Sequence, residues 1–271
     1  MKRTLFATIL LAAALMANAQ PNVVSTASPT NQTIQRAELT GGDAPTARPP
    51  AIRLAVYGDK GAPGFKHFPR LLEDVSDIQV EIVNGQQIRE GVLDKFDLVL
   101  LPGGSGREQG RSMGPEGVAK LKDFVASGKG YIGICAGAYV PMQQGFINAK
   151  TKSPHWRRGK ADLKIEFSET ALKLFGEQYN GLQEVRYNNG PIMDVNIFTN
   201  QPAVEVLAWF RTEVAEAGAP KGIQVDSPAI LLTTYGKGTM LTISPHPEQT
   251  PGLRELMVEM IRFVAEKCRG S

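Results

Sequence analysis

The chain has 271 residues, 42% of them hydrophobic and 21% charged, with a net charge of +3. That composition suits one large or two small domains with a substantial core and excludes a disordered body or a membrane bundle. It also lacks the clustered basic face that a nucleic-acid partner requires. The densest basic group, Lys150, Lys152, Arg157, Arg158 and Lys160 around His155 and Trp156, reads as a solvated loop.

In chain order, Lys2 and Arg3 precede an apolar run from Thr4 to Met16, and Ala17-Asn18-Ala19 gives the small–x–small pattern of a signal-peptidase site. The run is too short to cross a bilayer. The pattern predicts a signal peptide over residues 1–19 and a protein exported to the periplasm or secreted, with no membrane association after cleavage; the other reading is a buried helix or a short anchor. Cleavage would lower the net charge to +1. Residues 20–50, rich in Ser, Thr, Asn, Gln, Ala and Pro, read as a flexible linker. Within it, Asn31-Gln32-Thr33 fits a glycosylation sequon. The remaining 51–271 form the folded domain.

Ile52–Tyr57 reads as a strand, and Phe65–Val75 as a helix with Phe68, Leu71, Leu72 and Val75 on one stripe. Ile78–Val83 and Phe96–Leu101 are strands, the latter closed by Pro102-Gly103-Gly104. Pro115–Ser127 is an amphipathic helix, and Tyr131–Cys135 a fourth strand. This alternation predicts an α/β fold, a mostly parallel sheet with helices on both faces. Further on, Leu163–Phe167, Glu184–Tyr187, Ile192–Val195 and Val204–Phe210 read as short strands, with a helix near Glu169–Phe175 and Trp209 in the core. Ile230–Tyr235 and Thr239–Ser244 flank Gly236-Lys237-Gly238 as a hairpin, and a last helix spans about Leu253 to Lys267.

The most informative segment is Tyr131-Ile132-Gly133-Ile134-Cys135-Ala136-Gly137-Ala138-Tyr139. A strand running into G-x-C-x-G and then into small residues is the thiol form of a nucleophile elbow. Side chains at Gly133 and Gly137 would collide in so sharp a turn. The turn presents the sulfur at the carboxyl edge of the sheet, where open α/β folds bind ligands. The helix start favours thiolate and offers the Ala136 N–H to an oxyanion. The other reading is a small buried cysteine in a Gly-rich strand end.

Ser244-Pro245-His246-Pro247-Glu248 follows the last strand. The prolines cannot sit in a central ladder, so the segment should leave the sheet at its edge. In extended backbone His246 and Glu248 would point the same way, letting the carboxylate orient the imidazole. Pro102-Gly103-Gly104-Ser105-Gly106 lets backbone N–H groups approach a carbonyl closely, but it lacks nucleotide-loop spacing, so no nucleotide cofactor is expected. Nor do Cys and His fall at zinc spacing, so no metal is expected. Cys268 reads as incidental, and His67 and His155 as structural. Arg107, Arg111, Tyr139, Tyr187 and Asn188 are weaker candidates for meeting a substrate.

Pro102-Gly103-Gly104, Gly133-Ile134-Cys135-Ala136-Gly137 and His246-Pro247-Glu248, in that order, resemble the class I glutamine amidotransferase-like superfamily. Gly133 to Tyr139, with Tyr187-Asn188-Asn189-Gly190-Pro191, looks most like its biotin–protein ligase N-terminal-like family. The resemblance implies a flavodoxin-like sheet, Cys135 as nucleophile, His246 as base, Glu248 as its orienter, and oxyanion donors from Gly103 or Gly104 and from Ala136. Gly137-Ala138-Tyr139 departs from the Gly-His-Gln-like run of glutaminase domains, and no Gly-Arg-Gly-rich adenylate loop is present, so neither glutaminase activity nor biotin ligation is implied. The expectation is a thiol-dependent amide or acyl hydrolase acting on a small molecule or peptide. The alternatives are a non-catalytic ligand-binding module on the same fold and a redox or aldehyde-scavenging thiol protein.

Overall fold

The computed structural model describes residues 51–152 and 157–270. The expected signal peptide, linker and sequon, as well as His155 and Trp156, lie outside the described residues. The first half of the domain alternates strand and helix: β1 (Ile52–Tyr57), α1 (His67–Leu71), β2 (Ile78–Val83), α2 (Gly85–Arg89), β3 (Leu98–Leu101), α3 (Gly106–Ala126), β4 (Gly130–Ile134) and α4 (Ala136–Gln143). Then come β5 (Ala149–Thr151), β6 (Lys160–Phe167), α5 (Glu169–Phe175), β7 (Leu182–Asn188), β8 (Met193–Val195), β9 (Glu205–Phe210), β10 (Pro228–Tyr235), β11 (Gly238–Ile243) and α6 (Arg254–Arg269).

The main sheet runs β2-β1-β3-β4-β11-β10-β9-β6-β7. Strands β2, β1, β3, β4 and β11 pair in parallel. This is the flavodoxin-like order, with its switch point between β1 and β3. Beyond β11 the pairings to β10, β9, β6 and β7 are antiparallel, so the parallel core carries a hairpin-built extension. Strands β5 and β8 form a separate ribbon.

Both faces of the parallel half are covered. Leu54, Val56, Leu98, Leu100, Ile132 and Ile134 pack with Phe68 of α1 and with Leu256, Met257 and Ile261 of α6. On the other face Ala55, Tyr57, Val99 and Leu101 pack with Ile88 of α2, Leu121 and Val125 of α3, and Val140 of α4. Alternate residues of one strand thus serve opposite layers.

Two helix boundaries differ from the sequence expectation. The first is shorter, a 3-10 turn at Pro63–Lys66 leading into α1; beyond it Val75 N–H bonds Leu72 O at 3.1 Å in a turn that feeds β2. The third is longer, beginning at Ser105, whose side chain caps it by accepting from Glu108 N–H at 3.4 Å. Its glycines read as loop because Gly114, at φ 67°, joins two helical segments ahead of Pro115, a join that a Cβ would strain. Trp209 is only half-buried, with the Arg211 guanidinium 5.9 Å from its ring centre.

Candidate active site

The elbow forms where β4 gives way to α4. Cys135 stands at the N-cap of α4 with φ 51° and ψ −99°, backbone that costs a non-glycine residue about 1–3 kcal/mol. Its neighbours must be glycine. A Cβ on Gly133 would lie 2.5 Å from Gly137 O, and one on Gly137 would lie 1.9 Å from Leu101 O. Tyr131 OH donates to Gly137 O at 2.7 Å, and Cys135 N–H donates to Ile243 O at 2.8 Å. The second bond ties the elbow to β11, the strand that delivers the histidine.

Past β11 the chain leaves the ladder. His246 N–H donates to Arg186 O of β7 at 2.7 Å, and Thr250 Oγ1 donates to His246 O at 2.7 Å. Glu248 does meet the imidazole, at 2.7 Å from Nδ1. The backbone route differs from the expected extended one: Pro247–Gln249 is a 3-10 turn that brings the carboxylate round. A carboxylate only accepts, so Nδ1 is the donor, and Nε2 is left buried with no hydrogen-bond partner. Gln249 Nε2 donates to the same Glu248 oxygen at 2.9 Å. Burial disfavours the imidazolium, but contact with Cys135 and then the Glu248 carboxylate outweigh it, and His246 is pushed up to about 10.

Thiol, imidazole and glycine loop converge. A Cβ added to Gly103 would lie 2.7 Å from His246 Cε1 and 3.7 Å from Cys135 Cβ, so only glycine fits between them. No described residue accepts from the N–H of Gly103 or Gly104. The Ala136 N–H opens α4 and has no intrahelical acceptor. These groups line a cavity of about 860 Å³. It opens at the carboxyl edge beside the β1/β3 switch point, with Gly64 after β1 and Gly103 after β3 in its wall.

Tyr139 and Asn188 also line the cavity, and Arg107 stands exposed at its rim. Tyr139 OH donates to Asn189 O at 3.3 Å, and burial pushes that hydroxyl well above its usual range. The Cys135 thiol donates to Asn188 O at 3.3 Å. The sulfur therefore has two neighbours of opposite preference: the carbonyl suits the thiol and the imidazolium suits the thiolate.

Four expectations are corrected. Tyr187 does not reach the cavity; it is fully buried, donates its OH to Gly190 O at 2.7 Å and packs edge-on against Phe210. Arg111 pairs with Glu108 at 2.9 Å and faces a separate cleft. His67, expected to be structural, lies exposed on the cavity rim. Arg158 is not part of a solvated loop: it is 1% exposed, donates to Pro220 O at 2.9 Å and lies 3.5 Å from Glu213. Cys135 and Cys268 are both free thiols.

Sequence reasoning missed Gln249, Asn189 and Lys150 as wall residues. Asn189 has a detectable signal, a consecutive Asn-Asn-Gly after a strand, the sort of run that tolerates its observed φ of 56°. Lys150 was submerged in the basic cluster. Gln249 adjoins the His-Pro-Glu run, but its amide carries no distinctive spacing.

Residues 65–153 match the family model described as biotin-protein ligase, N terminal. A protein of Chlamydia muridarum (strain MoPn / Nigg), described as uncharacterized, is 34% identical over 94 residues, 32% of this chain. The match spans about a third, 36%, of that curated relative's length. Among solved structures, a protein described as part of a GMP synthase, from Thermoplasma acidophilum, aligns at TM-score 0.55 and 15% identity, covering 81% of this chain and 95% of that one. PurLQS from Thermotoga maritima aligns at TM-score 0.52 and 16% identity, covering 79% of this chain and 99% of the other. At such identities the likeness concerns the fold.

Proposed function

We propose that this chain, with its class I glutamine amidotransferase-like fold and its biotin-protein ligase N-terminal match over residues 65–153, is a thiol-dependent hydrolase of amide or related acyl bonds. One observation carries the reading. A cysteine on a strained elbow faces a buried histidine whose Nε2 has no partner and whose Nδ1 is held by a carboxylate. That is the spatial logic of an activated nucleophile with an oriented base.

In this reading the Cys135 thiolate attacks the carbonyl carbon, forming the C–S bond. The carbonyl oxygen becomes an oxyanion held by N–H groups of Gly103 or Gly104 and of Ala136. His246 gives its Nε2 proton to the leaving amine as the C–N bond breaks. Water then attacks the thioester, His246 taking its proton, and the C–S bond breaks to release a carboxylic acid and restore the thiolate beside the imidazolium. The signal pattern in residues 1–19 belongs to the same proposal and supports work outside the cytoplasm.

The test uses p-nitrophenyl acetate, with mass spectrometry to locate a trapped acyl group. An acyl adduct on Cys135, with turnover lost in both Cys135→Ala and His246→Ala, is the expected result. Near-normal turnover in either folded variant would sink the proposal. The Asn188 carbonyl, which suits an uncharged thiol, favours a second reading, a binding module on the same fold. Ligand capture that survives Cys135→Ala without consumption of the ligand would select it.

A further inference from the structure

We infer that the cavity takes amides or acyl compounds bearing a free carboxylate away from the bond that is cut; this deepens the hydrolase reading and rests on it. Uncompensated positive charge in the wall is its basis. Besides the His246 imidazolium, the charged side chains in the cavity wall are Arg107 and Lys150, and among the described residues no Asp or Glu lines it. Elsewhere two exposed arginines are paired, Arg53 with Asp97 and Arg111 with Glu108. Neither Arg107 nor Lys150 has an ion pair among the described residues. Asp194 is opposite Lys150 in the β5–β8 register, yet makes no ion pair with it.

The position of Arg107 sharpens the point. It lies in the first turn of α3, where the helix dipole favours an acidic side chain and disfavours a cation. A cation kept there without a partner costs stability unless something negative visits. The helix starts at Ser105 and at Cys135 also open on this cavity, and their free N–H groups add to the positive potential. A substrate carboxylate would meet cations and helix N-termini together. A substrate ammonium, as on a free amino acid, would find no acidic side chain.

The test compares iodoacetate with iodoacetamide, reagents that alkylate sulfur through the same carbon but differ in charge. Rates are read peptide by peptide and referred to a free neutral thiol, N-acetylcysteine amide, because Lys129, Lys237 and Arg269 line the cleft that holds Cys268. The iodoacetate-to-iodoacetamide ratio at Cys135 is expected to exceed that of the free thiol by about 3–10-fold, the scale of one or two nearby cations at partial screening. It should fall most of the way back in an Arg107→Gln/Lys150→Gln double variant. Lys95→Gln, which removes one positive charge before β3 at the opposite edge of the sheet, should leave the ratio as it was. Fast, His246-dependent reaction with iodoacetamide but a ratio equal to that of the free thiol, or a ratio that the double variant does not lower, overturns the inference and leaves the hydrolase reading standing. Slow iodoacetamide reaction that His246→Ala does not change overturns the hydrolase reading and the inference with it.

Discussion

Replacing Gly137 by alanine puts the elbow under direct test. The added methyl would sit 1.9 Å from Leu101 O and 2.6 Å from Leu101 C. That is roughly 1.5 Å short of an ordinary contact. The obstruction is backbone in β3, held by β1 on one side and β4 on the other, so no side chain can rotate out of the way. Overpacking of this kind costs about 1–3 kcal/mol where a core can adjust. With backbone as the obstacle, about 3 kcal/mol or more is expected. Gly110 is the control: it lies inside α3, and a Cβ there would meet only Gln144 Nε2 at 3.5 Å, so Gly110→Ala should gain about 0.5–1 kcal/mol. Urea unfolding of the three proteins gives both numbers. The clash also pushes on the strand leading to Gly103, and a misplacement of about 1 Å can cost ~100-fold in reactivity, so iodoacetamide should modify Cys135 far more slowly. A Gly137→Ala protein within about 0.5 kcal/mol of wild type, with Cys135 equally reactive, would refute the account of the elbow.

The remaining predictions concern the buried charges. His246 is pushed up to about 10, from about 6.5 in the unfolded chain. A raised value means that the imidazolium's contribution is complete below about pH 6.5 and is lost as the pH rises from there through about 10, on the order of 1 kcal/mol per pH unit. Denaturation between about pH 6 and 9 should show that slope in wild type and lose it in His246→Gln. In Glu248→Gln, which keeps the shape but not the charge, the ring should titrate lower by NMR; an unmoved titration would show that Glu248 does not hold the proton. Arg158→Met removes a guanidinium buried against Pro220 O and Glu213 and should cost about 3 kcal/mol in thermal or urea unfolding, whereas a loss below about 0.5 kcal/mol would mean that the buried pair contributes nothing net.

The parallel half of the fold was legible because local pattern and global packing agree there. β1 and β2 fall on the expected residues: β1 is a nearly continuous buried apolar run, and β2, at the sheet edge, alternates apolar residues with exposed Gln79 and Glu81. The elbow was legible for a related reason: Gly133 and Gly137 are demanded by contacts with backbone, and such demands leave a fixed spacing in the sequence. What could not be read depends on long-range placement. Tyr187 and Asn188 are adjacent on one strand and look alike as candidates, but strand alternation sends the tyrosine into the core and leaves the Asn188 carbonyl against the thiol. Arg158 sits in a basic run that looks solvated until Gln224, Glu213 and Pro220, more than fifty residues away, close over it.

The position of β11 sets an order of events. It is the last strand along the described chain, yet it lies mid-sheet, between β4 and β10. Until it docks, the edge of β4 is open and Cys135 has neither its Ile243 hydrogen bond nor its histidine. The thiol therefore exists for most of synthesis and early folding as an ordinary cysteine. It gains its partner only when a strand about a hundred residues further on slides in beside it, a late, long-range closure. On the proposed hydrolase reading, chemistry waits until assembly is finished: a partly folded or interrupted chain carries the sulfur without the histidine beside it.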